Sequence, residues 1–319
     1  MSARAWAAFA VVSILWGMPY LFIKVAVDDG VPPAFLAWVR VALAATVLLA
    51  FAWHAGVLSS LRGRWRWLSL FAAIEIAIPF PLIAGGEQYV SSSLAAIVIA
   101  AAPLFVALLA IRFDAEERAT GTRLAGLLIG LGGVAVLVGV DVAGRSDELI
   151  GTAGILLAAL CYAAGPMILK RKLADLDPRA TMGASLAIAA LLLAPAAAIA
   201  PPAVALSSDA LVSLAVLGLF CTAAAFVVYA SLVAEVGPGR ALVITYVAPV
   251  VAVALGVAIL GESVGAGAVA GLLLILAGSW LSTDGRLPPG LASVASRTRA
   301  RRAGGDRSAT RPSVESARG

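Results

Sequence analysis

The sequence predicts an all-α polytopic membrane protein with ten transmembrane helices arranged as two inverted five-helix repeats. Three observations carry this reading: an apolar composition that a soluble domain could not bury, ten apolar stretches of membrane-spanning length, and an internal repeat at a fixed offset. Of the 319 residues, 62% are apolar or aromatic and 13% are charged, against about half and about a quarter in ordinary globular chains. Mean hydropathy is +1.01. Soluble enzymes, disordered chains and disulfide scaffolds are excluded on this ground.

A hydrocarbon core about 30 Å thick is crossed by about 20 helical residues. Stretches that meet or approach this length run near residues 5–27, 34–53, 67–88, 92–112, 122–141, 150–169, 181–200, 210–233, 241–260 and 264–282. The first is too long for a signal peptide, lacks a cleavage pattern and contains Trp16, Pro19 and Lys24, so it reads as a retained helix. With a cytoplasmic N-terminus, the inner loops receive twelve Lys or Arg before the tail and the outer loops only Arg145. That asymmetry predicts both termini on the cytoplasmic side. Trp6, Trp53, Trp65, Trp67 and Trp280 fall near the inner ends, where interfacial anchors belong.

The formal net charge of +5 resides in the tail, 283–319, where eight arginines face three acids. Its Pro, Ser, Arg and Gly content predicts disorder, and its charge suits an anionic inner leaflet, so no nucleic-acid partner is expected. Cys161 and Cys221 lie in apolar runs and read as buried thiols. His54 is the one histidine, so no metal site, triad or cofactor is expected, and the chain is not read as an enzyme. No Walker-type loop is present, so energy must come from a gradient or from substrate concentration.

Shifting the sequence by 146 residues aligns Lys24 with Lys170, Pro32 with Pro178, Pro103 with Pro249, Glu116 with Glu262 and Trp16 with Tyr162. A shift of 145 then aligns Gly126 with Gly271 and Gly133 with Gly278. The repeats are 5–141 and 150–282. Each holds an odd number of helices, so the second enters the membrane from the opposite face. Inverted repeats of this kind build secondary transporters, with a site near the midplane and alternating access to it.

The Trp16-Gly17 pair, the Trp38-Val39-Arg40 stretch, the serine-rich loop entering Leu94-Ala95-Ala96-Ile97 with Pro103 beyond, and the Ala248-Pro249 to Gly261-Glu262 segment together resemble the EamA repeat. That repeat defines a branch of the drug/metabolite transporter superfamily, and the resemblance covers residues 6–282. It implies ten helices, cytoplasmic termini and export of amino acids or other small metabolites. It also implies a cavity walled mainly by helices 1, 3, 4, 6, 8 and 9. Ala115-Glu116 departs from the family's Gly-Glu, and Ala163 stands opposite Gly17.

Glu75 is the sharpest site candidate, the one acid placed near mid-bilayer. An ionisable group there costs about 2.5 to 3.5 kcal/mol, so it should face a cavity or a partner. It reads as a proton-coupling or amine-binding carboxylate, or else as a protonated structural glutamate. Lys24, Arg40 and Glu87 near the outer ends either snorkel to the headgroups or serve coupling and gating. In the second case Arg40 pairs with Glu87 or receives a substrate carboxylate.

Pro103 and Pro249 mark helices 4 and 9 as cavity walls and moving elements, because a proline frees a carbonyl that lipid cannot satisfy. Trp16, Tyr20, Tyr162, Tyr229 and Tyr246 are mid-span aromatics able to stack on a substrate or hydrogen-bond it. Gly126 and Gly130 in helix 5, with Gly261, Gly265, Gly267 and Gly271 around helix 10, suit either a scaffolding contact or a homodimer face. The expected partners are a small-molecule substrate and the bilayer. Rival readings are a non-transporting scaffold, an intramembrane enzyme and a channel. No convergent acid, base or metal cluster supports the enzyme, and no ring of charge the channel.

Overall fold

A computed structural model of the protein describes residues 2–113, 121–142, 144–237, 241 and 244–282. Glu116, Glu117, Arg118, Arg240 and the tail 283–319, with its predicted disorder, lie outside them. Every regular element among the described residues is helical. Eight helices are long and apolar enough to cross a membrane: α1 Ala3–Asp28, α2 Pro33–His54, α3 Trp65–Gly86, α4 Ser92–Leu109, α5 Thr122–Val140, α6 Ser146–Leu173, α7 Pro178–Ile199 and α8 Ser208–Val236. Two shorter apolar helices follow, α9 Ile244–Leu260 and α10 Ala266–Leu281. Each apolar stretch read from the sequence falls on one of them.

The helix starts follow local chemistry. Ser2, Ser91 and Ser207 accept the backbone N–H groups of Ala5, Leu94 and Ala210 at 3.0, 3.1 and 3.1 Å, satisfying donors that the first helical turn leaves open. Pro33 and Pro178 occupy first helical positions, where the missing N–H costs nothing.

The interiors are less regular. Wide π turns occupy Ala73–Ala77 in α3 and Val216–Ala224 in α8. Offset by 146, the first falls inside the second, so both repeats carry the same irregularity. Such bulges often mark functional positions. Helix α4 is interrupted between Ile99 and Ala102, just before Pro103, whereas α9 runs unbroken through a buried Pro249. The two matched prolines therefore act differently.

Packing pairs α2 with α7 and α5 with α10 along their lengths. Helix α1 contacts α8 and α9, while α6 contacts α3 and α4. The glycines explain the closest pair. A Cβ on Gly133 would stand 2.8 Å from the Leu274 Cβ and 2.9 Å from the Gly271 carbonyl oxygen, and one on Gly278 would strike the Gly126–Gly130 backbone. Small residues let helices approach closely. Of the two roles expected for these glycines, the structure displays the scaffolding contact within one chain. Gly130, Gly133, Gly271 and Gly278 make that contact.

Candidate functional site

Arg40 projects from α2 and is 8% exposed. Its Nε–H donates to Thr222 Oγ1 at 2.9 Å. The Thr222 hydroxyl in turn donates to the Leu217 carbonyl at 2.8 Å, five residues back, so its proton points away from the arginine and a lone pair toward it. The π turn of α8 carries both residues. The guanidinium carbon lies 4.2 Å from the centroid of the Phe80 ring, a contact of roughly 2 kcal/mol when desolvated. Tyr162, Cys221, Tyr20 and Glu87 lie within electrostatic reach. Among the described residues no carboxylate is within ion-pair distance of this cation.

Glu87, just past the end of α3, is 0% exposed, and neither carboxylate oxygen has a hydrogen-bond partner. Lys24 reaches it only at the main chain, donating to the Glu87 carbonyl at 2.9 Å, and pairs instead with Asp28 at 2.9 Å. Two expectations are thereby corrected. Arg40 and Glu87 do not snorkel, because neighbouring helices close over them. Nor do they pair, because Thr222 and Phe80 hold the guanidinium. Of the three outer charges, only Lys24 reaches an exposed partner.

Glu75 occupies the centre of the π turn in α3. Its carboxyl group fills the space over Gly165 of α6, where a Cβ would come within 2.9 Å of the Glu75 Cδ. One oxygen is buried without a partner. One turn earlier on α6, Cys161 is within its electrostatic reach. Glu75 was expected to be the one deep acid, yet Glu87 is the more enclosed. Depth in a bilayer can be read from position in a span, whereas enclosure depends on which helices pack over it.

The aromatic candidates divide into two groups. Trp16 lies 4.7 Å from Tyr229 and 6.0 Å from Phe226, ring centre to ring centre. Tyr246 packs at the same cluster and donates its hydroxyl to the Ser279 carbonyl at 3.2 Å, tying α9 to α10. Tyr162, the repeat mate of Trp16, lies with Tyr20, Arg40 and Glu75. Gly17 packs directly on Ala248 and Val251, the turn that holds Pro249. A cavity of about 310 Å³, lined by Tyr89, Ser93, Arg145, Glu148 and Val264 among others, opens beside the start of α4. Its lining contains neither Arg40 nor Glu75.

Three contributors were not singled out from the sequence. Thr222 and Phe80 complete the arginine site, and their signal was the need of any cation inside an apolar span for an acceptor and a ring. The third is Glu262, in the loop before α10. It accepts the Ser92 and Ser93 backbone N–H groups at 2.7 and 2.9 Å and the Ser93 hydroxyl at 2.5 Å. It thus places a carboxylate on the positive end of α4. Burial pushes its pKa up, but the serine hydrogen bonds outweigh that and hold it below the usual carboxylate range.

The model of the EamA-like transporter family matches residues 4–139 and again 149–283. The chain belongs to this family. Its apolar helices make it a multi-pass membrane protein. It is 27% identical to a probable amino-acid metabolite efflux pump of Salmonella typhimurium, over 86% of this chain and 93% of that protein. It is 30% identical to the uncharacterized inner membrane transporter YedA of Escherichia coli, over 78% of this chain and 81% of that one. A solved crystal structure shares the fold with a TM-score of 0.64 at 21% identity, over 89% of this chain and 98% of that one.

Proposed function

We propose that this EamA-like protein is a secondary transporter of the inner membrane that exports small zwitterionic metabolites, amino acids among them, by alternating access. Its ten helices would form two inverted halves, 5–141 and 150–282, with both termini in the cytoplasm. The observation that carries this reading is the imbalance at the centre. Arg40, with no carboxylate in ion-pair contact among the described residues, stands within electrostatic reach of Glu87, whose oxygens are both unpartnered, and Tyr162 is within reach of both Arg40 and Glu75, which has one unpartnered oxygen. Buried charge is retained only where it is paired or used. A substrate bearing both a carboxylate and an ammonium satisfies both signs at once, whereas between substrates a proton on Glu75 neutralises the carboxylate alone and Thr222 and Phe80 hold the guanidinium. The relative named as an amino-acid metabolite efflux pump supports that substrate class. Tyr20, Tyr162 and the Trp16–Tyr229 pair supply polar tips and ring faces around the path. Matching contacts of α1 with α9 and of α6 with α4 suit halves exchanged by a two-fold axis.

The deciding experiment is counterflow in proteoliposomes preloaded with an unlabelled amino acid. Trans substrate should accelerate uptake of label several-fold, which only a carrier does. Uptake indifferent to trans substrate across all classes of amino acid would overturn the carrier reading. Glu75→Gln should leave counterflow measurable while abolishing the dependence of net efflux on an imposed pH gradient. Retained dependence would remove Glu75 from coupling.

A further inference from the structure

The basic rim at the start of α3 has a built feature that transport does not use. Arg66 and Lys172 both cap the indole of Trp67, with the guanidinium carbon 5.3 Å and the ammonium nitrogen 4.8 Å from a ring centroid. One residue comes from the start of α3 and the other from the end of α6. Their neighbours are neutralised: Arg64 pairs with Asp175 at 2.6 Å and Arg179 with Asp177 at 2.8 Å. No acid lies within ion-pair distance of Arg66 or Lys172 among the described residues. Exposed Arg62 and Arg171 flank the pair in the sequence.

The platform is held in place from below. Leu61, Leu68 and Phe71 pack with Leu173 and Leu176 in one buried cluster that Trp67 joins. Arg64 also donates to the Lys172 carbonyl at 3.1 Å, fixing that segment. Two like charges on one ring repel each other unless an anion lies between them or beside them. The level is that of the membrane interface, marked by the exposed indoles of Trp65 and Trp53. Beyond it, exposed Leu70 and Ile78 continue along α3 into the apolar zone.

We propose that Trp67, Arg66 and Lys172 form a binding site for the headgroup phosphate of an anionic phospholipid. Its acyl chains lie along α3, and the bound lipid joins the α2–α3 and α6–α7 connections, one from each half of the chain. The occupant is a lipid and not a free anion, because the charge pair sits at headgroup height with an apolar helix face running inward from it. Each basic group near a charged leaflet contributes about 1 kcal/mol, which is about fivefold in affinity.

The test is a lipid titration of the full chain in detergent micelles, following the thermal unfolding midpoint. Phosphatidylglycerol should raise the midpoint with saturation, phosphatidylcholine should not, and inorganic phosphate at millimolar concentration should not. Raising salt to about 1 M, where screening acts within about 3 Å, should erase the increment in the unmodified protein. Arg66→Gln and Lys172→Gln should each raise the half-effect concentration about fivefold, whereas Arg171→Gln should change it less. An equal response to phosphatidylcholine or phosphate, or an increment that survives both salt and the Arg66→Gln substitution, would overturn the proposal. Should either glutamine variant fail to fold, the salt and headgroup comparisons on the unmodified protein still decide.

Discussion

Arg40 shows what one residue needs in order to sit inside a bundle with no acid in ion-pair contact among the described residues. It has one hydrogen bond from Nε, to a hydroxyl turned toward it by the π turn of α8, and one aromatic face. Lysine offers neither the Nε geometry nor the planar stack. Arg40→Lys should therefore cost at least tenfold in apparent substrate affinity by counterflow. Thr222→Val removes both the acceptor for Arg40 and the donor to the Leu217 carbonyl, and the buried Arg40 N–H left unsatisfied is worth about 1 to 3 kcal/mol. It should lower the unfolding midpoint as well as transport. A Thr222→Val protein with unchanged midpoint and unchanged affinity would show that the contact carries neither role. None of this pairing was legible in the sequence, because the partners are 182 residues apart and only the folded bundle joins them. Arg40, Glu75 and Glu87 themselves were legible, since charge inside an apolar run stands out whatever surrounds it.

Among elements, the α5–α10 pair offers a matched comparison. Gly133→Ala places a methyl group against Leu274 and the Gly271 carbonyl, and overpacking of this kind costs about 1 to 3 kcal/mol. Neighbouring Gly132 meets nothing within 4 Å, so Gly132→Ala should be neutral or stabilising by up to about 1 kcal/mol through helix propensity alone. Thermal unfolding in detergent distinguishes the two, and equal destabilisation would contradict the close approach. The start of α4 makes a prediction about pH. Because the serine bonds depress the Glu262 pKa, its contribution to stability is full above the ordinary carboxylate value and is lost as pH falls through the folded value. The stability gap between the natural protein and Glu262→Gln should therefore be constant at neutral pH and close only under acid conditions. A gap that widened on acidification would reverse the sign. The three serines before Leu94 announced this helix start in the sequence, but not that Glu262 from the other repeat would complete it.

For the whole molecule, the inverted arrangement is tested by which side of the membrane each connection faces. Ser60 lies between α2 and α3, and Ala205 lies between α7 and α8; both are exposed. The native thiols Cys161 and Cys221 are buried, so background labelling is low. In intact cells a membrane-impermeant maleimide should label Ala205→Cys, and should reach Ser60→Cys only after permeabilisation. Labelling of both from one side would rule out inverted halves. The places of the apolar helices were readable because a bilayer asks for about 20 apolar residues per span, and each such stretch falls on a helix. Which helices pair was not readable, since nearly every face is apolar and the contacts are selected by small residues and a few buried polar groups.

The repeat is also imperfect where it matters most. The position matching Arg40 is Leu186, that matching Glu75 is Cys221, and that matching Thr222 is Ile76; Leu186 and Ile76 share one buried cluster. Two identical halves related by a two-fold axis would give an inward-open and an outward-open form of equal free energy. Each replacement of a charged or hydroxyl group by a less polar one breaks that degeneracy. A difference of about 2.7 kcal/mol already holds a population near 100 to 1, so under the proposed alternating access the unloaded protein should rest with one particular face open and spend its substrate or its proton on reaching the other.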